Sequence, residues 1–204
     1  MKKNTISRTE KTRLTKDRLY HSAIQVIAQY GYEKASIERI TQHANVSTGT
    51  FYNYFKTRES LLEQVVLSQG QDLRRSISEI IPPGALFFER EEHSFRQYFR
   101  FLKKYPHYIQ LLNEAEIFLP RAYNELISHI IEGYRKVLRD ASGAGEICRL
   151  HGVEVDGVAL MLISARHYYG QFFRQLCDHN GEPPDYIVAI YMKVIKGGLK
   201  FKET

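Results

Sequence analysis

A chain of 204 residues with 43% hydrophobic content can bury a substantial core, and its two cysteines, Cys148 and Cys177, show neither CxxC nor Cys/His spacing, which argues against a disulfide framework or a zinc site. The net charge of +6 is unevenly placed: residues 1–60 carry 11 Lys and Arg against 5 Asp and Glu, whereas residues 61–204 carry 18 of each sign. No apolar leader opens the chain and no apolar run approaches the roughly 18 residues that span a bilayer, so a cytoplasmic protein without a membrane partner is expected, and the excess charge points to a polyanion met by the first segment.

Residues 1–14 are polar and rich in Lys, Arg, Thr and Ser without apolar periodicity, which predicts a flexible basic arm. Leu19, Ala23, Val26, Ile27 and Tyr30 then fall on one face of a helix that Gly31 ends. Ser36 suits the N-cap of a short second helix whose inward residues are Ile37, Ile40 and Ala44. Asn45, Val46 and Ser47 read as a tight turn, in which Asn tolerates a left-handed backbone and Ser47 caps a third helix with Phe51 and Phe55 facing inward. Thr57 caps again, and a long fourth helix is predicted from there to about Ile81.

Pro82, Pro83 and Gly84 stop that helix, and Pro106, Pro120, the stretch 143–152 and the turn 180–184 divide the remainder of the chain into further helices. No segment of useful length has strand periodicity, so the expected fold is all-α with about nine helices. Both cysteines read as small packing residues on helices. Domain boundaries are expected near residue 60: residues 15–60 as a three-helix DNA-binding unit and 61–204 as a larger helical domain.

Residues 36–55 have the size of two short helices joined by a tight turn, the unit whose second helix enters the DNA major groove. The outward residues of the third helix, Thr48, Gly49, Thr50, Tyr52, Asn53 and Tyr54, are small or hydrogen-bonding, and none is acidic. Lys56 adds a charge suited to a phosphate. The stretch Gly31–Leu62, GYEKASIERITQHANVSTGTFYNYFKTRESLL, resembles the DNA-binding signature of TetR-family transcriptional regulators, most closely from Val46 to Lys56 and at Glu59, Leu61 and Leu62. It departs from the usual pattern at Ala35, where Thr is frequent, at Thr41, where Ala is frequent, and at Asn45, where Gly is frequent.

The resemblance implies a homodimer whose two recognition helices read successive major grooves of a palindromic double-stranded operator, with Thr48, Thr50, Tyr52 and Asn53 toward bases and Ser36, Ser47, Tyr54 and Lys56 toward phosphates. It also implies a C-terminal domain that binds a small-molecule effector and dimerises through its last two helices. Residues 87–134 hold 6 Phe and 5 Tyr in 48 positions, against 12% aromatic residues in the whole chain, which suits a pocket for a largely apolar effector as well as a packed core. The candidate pocket residues are Tyr98, Phe101, Tyr105, Tyr108, Phe118, Tyr123, Tyr134, Arg166 and His167. Arg166 lies on an otherwise apolar face, where it either holds an anionic group of an effector or pairs with an acidic residue across a dimer. Val158, Leu162, Tyr169, Gly170, Phe173, Ile187, Ile190 and Val194 are the candidate dimer seam, with completion of the protomer core as the alternative use of those faces.

No GxSxG, HExxH, GxGxxG or phosphate-loop motif occurs, so neither catalytic residues nor a cofactor nor a metal site is expected. A helical enzyme remains the remote alternative, and a DNA-binding regulator without a small-molecule effector, or an activator, the nearer one.

Overall fold

The computed structural model describes residues 7–172 and 181–200, and all regular structure among them is helical. The helices are α1 (Arg8–Tyr30), α2 (Ile37–His43), α3 (Thr48–Tyr52), α4 (Arg58–Ile80), α5 (Phe87–Lys104), α6 (Tyr108–Phe118), α7 (Pro120–Gly143), α8 (Val153–Gln171) and α9 (Asp185–Leu199). No described helix is long and apolar enough to cross a membrane. The chain divides into two compact units: Met1–Gln69 with Gln110–Asn124, and Gly70–Ile109 with Glu125–Thr204.

The first unit begins earlier than its apolar pattern. α1 starts at Arg8, within the stretch expected as an arm, because Ser7 Oγ accepts the Glu10 N–H at 3.1 Å and the Glu10 carboxylate bonds Arg13 at 2.7 Å one turn on. A polar surface helix needs caps and pairs more than an apolar face. Gly31, at φ 77°, ends α1 in a left-handed conformation closed to most side chains. Leu19, Ala23, Ile40, Phe51, Leu61, Leu62 and Val65 are fully enclosed and form this unit's core.

α6 completes the same unit. The Tyr32 N–H, just past the end of α1, donates to Glu114 Oε2 at 2.6 Å, and the Ile27 carbonyl accepts from Gln110 Nε2 at 3.4 Å. The Ile27 carbonyl also accepts the capping Gly31 N–H at 2.8 Å, so α6 side chains join the C-terminal end of α1 beside its own cap. The Tyr32 ring stacks on Phe118 at 4.6 Å, nearly coplanar at 3°.

The second unit is built on α5, α8 and α9. α5 has no side-chain N-cap of its own; the Phe87 N–H donates to Glu146 Oε2 at 2.6 Å, from the loop after α7. Phe95 on α5 stacks on Tyr191 of α9 at 3.9 Å, and Phe99, Leu138, Leu162 and Ile195 are fully enclosed around them. α8 turns Val155, Ala159, Leu162, Arg166 and Gly170 inward. A Cβ at Gly170 would lie 2.7 Å from the Tyr98 hydroxyl and 2.9 Å from Ile109 Cδ1, so this glycine sets a close approach inside the protomer. Cys148 sits in the loop after α7 rather than on a helix, its N–H donating to the Leu199 carbonyl at 2.6 Å, and Cys177 lies outside the described residues.

Candidate nucleic-acid interface and buried polar cluster

α3 is positioned by short-range contacts. Ser36 Oγ accepts the Arg39 N–H at 3.3 Å and Ser47 Oγ accepts the Thr50 N–H at 3.1 Å, so both serines cap their helices as their sequence positions suggest. The Ser36 hydroxyl also bonds the Glu38 carboxylate and, after that residue's own backbone N–H, holds it below the usual carboxylate value. Asn45, at φ 50°, takes the left-handed turn where the family often has Gly. Thr41, where Ala is frequent, is buried, and its hydroxyl is satisfied by the Ile37 carbonyl at 2.9 Å. Ala35 is fully buried.

Two arginines that the charge count assigned to a polyanion have structural work. Arg18 on α1 donates to the Asn45 carbonyl at 2.8 Å and also to the Ala44 carbonyl, pinning the turn between α2 and α3. Arg58 donates to the Tyr32 carbonyl at 3.2 Å and lies 4.6 Å from that residue's ring centroid. Sequence reading missed both, because their partners lie 26 and 27 positions away. The residues facing outward from α3 and the turn after it are Thr48, Gly49, Tyr52, Asn53 and Lys56, with Thr50 and Tyr54 half-buried. Tyr52 is 56% exposed, its ring held edge-on by Phe51 at 5.4 Å. Thr50 Oγ1 lies 2.9 Å from Ser47 Oγ, so its hydroxyl is shared with the cap.

The nine candidate pocket residues do not gather in one place. Phe118 packs on Tyr32 and, with the half-buried Tyr123, belongs to the first unit. Tyr98, Phe101 and Tyr108 are buried in the second unit, where Phe101 meets Tyr108 edge-on at 5.2 Å and Tyr105 at 4.5 Å. His167 is half-buried beside Gln171, at 3.1 Å.

Arg166 pairs within the protomer, on a partner that sequence spacing did not reveal. Its Nη2 donates to Glu91 Oε1 at 2.6 Å and its Nη1 to Ser94 Oγ at 2.8 Å, both on α5, while the Tyr191 hydroxyl of α9 donates to the same Glu91 oxygen at 2.5 Å. Glu91, Ser94 and Arg166 are all buried. Burial alone would lower the affinity of Arg166 for its proton, but the Glu91 carboxylate and the neighbouring tyrosines hold it well above the usual arginine value. Burial pushes the hydroxyls of Tyr98 and Tyr134 far up, and Glu91 adds to the effect at Tyr134. These phenols are therefore protonated donors.

The candidate seam residues also divide. Leu162, Gly170 and Ile187 are buried in the second unit, Val158 and Tyr169 are half-buried, and Phe173 lies outside the described residues. Ile190 and Val194 are 51% and 64% exposed. Large apolar side chains exposed on the same helices are Val153, Leu160, Met161 and Tyr168 of α8 and Tyr186 of α9.

A short α2, a tight turn and a capped, acid-free α3 on a basic segment define a helix-turn-helix, followed by a helical C-terminal part. Residues 19–65 match the family profile described as bacterial regulatory proteins, tetR family. The chain is 30% identical over 121 residues to the fatty acid metabolism regulator protein of Bacillus subtilis, covering 57% of this chain and 60% of that one. The chain spans between 34% and 60% of the length of the first curated relatives it matches. Among solved structures, a TetR-family transcriptional regulator from Haemophilus influenzae shares the fold with a TM-score of 0.76 at 19% identity, over 95% of this chain and all of that one. The Bacillus subtilis transcriptional regulator FadR, solved in complex with stearoyl-CoA, shares it with a TM-score of 0.73 at 20% identity, over 89% of this chain and 98% of that one.

Proposed function

We propose that this chain is a homodimeric cytoplasmic repressor that grips a roughly palindromic operator through α3 and releases it when a small, largely apolar effector binds the second unit. The observation that carries the DNA reading is the outer face of α3, where exposed Thr48, Tyr52 and Asn53 stand without an acidic neighbour ahead of exposed Lys56. By likeness to the family, Thr48, Thr50, Tyr52 and Asn53 face bases, Tyr52 with its ring available to a thymine methyl, and Ser36, Ser47, Tyr54 and Lys56 face phosphates. Half-sites then lie about one helical turn apart, roughly 34 to 36 Å.

The exposed apolar residues of α8 and α9 support a dimer seam formed by Met161, Tyr168, Ile190 and Val194 in place of the buried Leu162, Gly170 and Ile187. The stearoyl-CoA held by the Bacillus subtilis structure supports a long acyl chain as the effector body. Binding is read as a population shift toward a dimer whose recognition helices no longer fit both grooves. α4, one continuous helix from Arg58 to Ile80, carries that shift.

Selection of bound DNA from a random pool, at fixed salt, tests the reading beside a Tyr52→Ala, Lys56→Ala double variant. A palindrome enriched by the parent and lost in the variant is expected; equal, salt-sensitive and sequence-independent binding by both sinks it. Adding stearoyl-CoA to the selected complex is expected to lower operator affinity.

A further inference from the structure

The buried cluster of the second unit leaves two of its polar atoms unmet. Arg166 spends Nη1 on Ser94 and Nη2 on Glu91, and Tyr191 spends its hydroxyl on the same Glu91 oxygen. Two polar atoms sealed from solvent are left without a hydrogen bond among the described residues: Arg166 Nε and the hydroxyl of Tyr134. The two belong to one cluster, for the Arg166 guanidinium carbon stands 5.5 Å from the Tyr134 ring centroid. After burial, Glu91 raises the Tyr134 hydroxyl by its charge and by a hydrogen-bond contribution, although the two stand outside full hydrogen-bond geometry. Nε–H donates only, and a protonated phenol is available to donate, so both atoms require an acceptor.

We propose that Tyr134 and Arg166 form a head-group site for an uncharged oxygen acceptor, the carbonyl of an ester, thioester or amide, carried by an otherwise apolar effector. The inference deepens the ligand-gated reading above and rests on it. Charge selects the neutral group. Arg166 and Glu91 already cancel at 2.6 Å, so a carboxylate arriving there would leave one uncompensated negative charge in a buried site, whereas a carbonyl oxygen satisfies the donors and adds no charge. The surroundings suit an apolar body, because Phe95 stacks on Tyr191 beside the pair.

Calorimetric titration of the full chain with palmitoyl-CoA, with S-hexadecyl-CoA, which lacks only the carbonyl oxygen, and with palmitate tests this. The parent is expected to bind the thioester about tenfold more tightly than the thioether, the worth of one or two buried hydrogen bonds, and to bind palmitate more weakly than the thioester. Tyr134→Phe is expected to narrow the gap between thioester and thioether several-fold, with a midpoint of thermal unfolding unchanged or higher, since an unmet buried hydroxyl is removed. Equal binding of thioester and thioether by the parent overturns the head-group site while leaving the effector reading intact. Binding of palmitate above the thioester overturns the preference for a neutral group. A midpoint lowered by several degrees in Tyr134→Phe shows a hydroxyl engaged in holding the fold, by a buried water for example, and also overturns the proposal. Failure of all three probes to bind removes the acyl-effector reading and this site with it.

Discussion

The two units use polar side chains in opposite directions. In the first, Ser36, Ser47 and Thr57 bond amides within three residues of themselves and leave the outer face of α3 to solvent. In the second, Glu91, Ser94, Arg166 and Tyr191 turn inward and bond one another across 72 to 100 positions of sequence. An exposed face tolerates exchange at its outward positions, whereas a buried charge pair ties three helices to one arrangement. On the proposed reading, base recognition falls to exposed side chains such as Tyr52 and Asn53, and the integrity of the second unit to side chains that no surface shows.

The largest expected effect breaks the inward network. Arg166→Met leaves Glu91 buried beside Tyr191 with its charge uncompensated and is expected to lower stability by about 3 to 5 kcal/mol in urea unfolding, while the double change Arg166→Met, Glu91→Leu recovers most of that loss. A double variant no more stable than the single one would mean that the pair contributes more than mutual charge cancellation. Gly170→Ala comes next: the added methyl meets the Tyr98 hydroxyl, Ile109 and Leu102, and a loss of about 1 to 3 kcal/mol is expected from thermal unfolding. An unchanged melting point would show that α8 retreats from α5 without cost.

Smaller effects sharpen the outward side. Ser47→Ala removes the α3 cap and is expected to cost about 0.5 to 2 kcal/mol in thermal unfolding; if Ser47 meets a phosphate as proposed, operator affinity falls further than that loss accounts for. Lys56→Ala is expected to leave unfolding unchanged and to weaken binding evenly across operator variants, reducing the slope of log affinity against log salt by about one. A change of sequence preference in that variant would move Lys56 from the backbone to a base.

The legible part of the molecule was the part held by near neighbours. Caps at Ser36 and Ser47, the left-handed Asn45 and the stop at Gly31 each follow from a residue type and its position, and the structure has all four. Arg166 was conspicuous on its apolar face, but its partner Glu91 lies 75 positions earlier on a helix with no periodicity linking the two. The aromatic surplus of residues 87–134 was visible too, yet which rings share a unit depends on α6 joining the first unit, so Phe118 and Tyr98 parted company. The apolar stripe read on α8 is the one that the protomer buries at Leu162 and Gly170, the alternative use of that face, while Ile190 and Val194 of α9 stay exposed; both faces of α8 carry large apolar side chains, and amphipathicity alone does not assign them to core or seam.

The bond from the Tyr32 amide to Glu114 crosses 82 positions and stays inside the first unit. Its consequence is felt in protein engineering by exchange of parts. A chimera cut cleanly after α4 would graft the reading head without the carboxylate that accepts this amide and without the ring that stacks on Tyr32. The transplantable piece is discontinuous: a recipient body has to bring its own equivalents of Glu114 and Phe118, or residues 110–124 have to travel with the head.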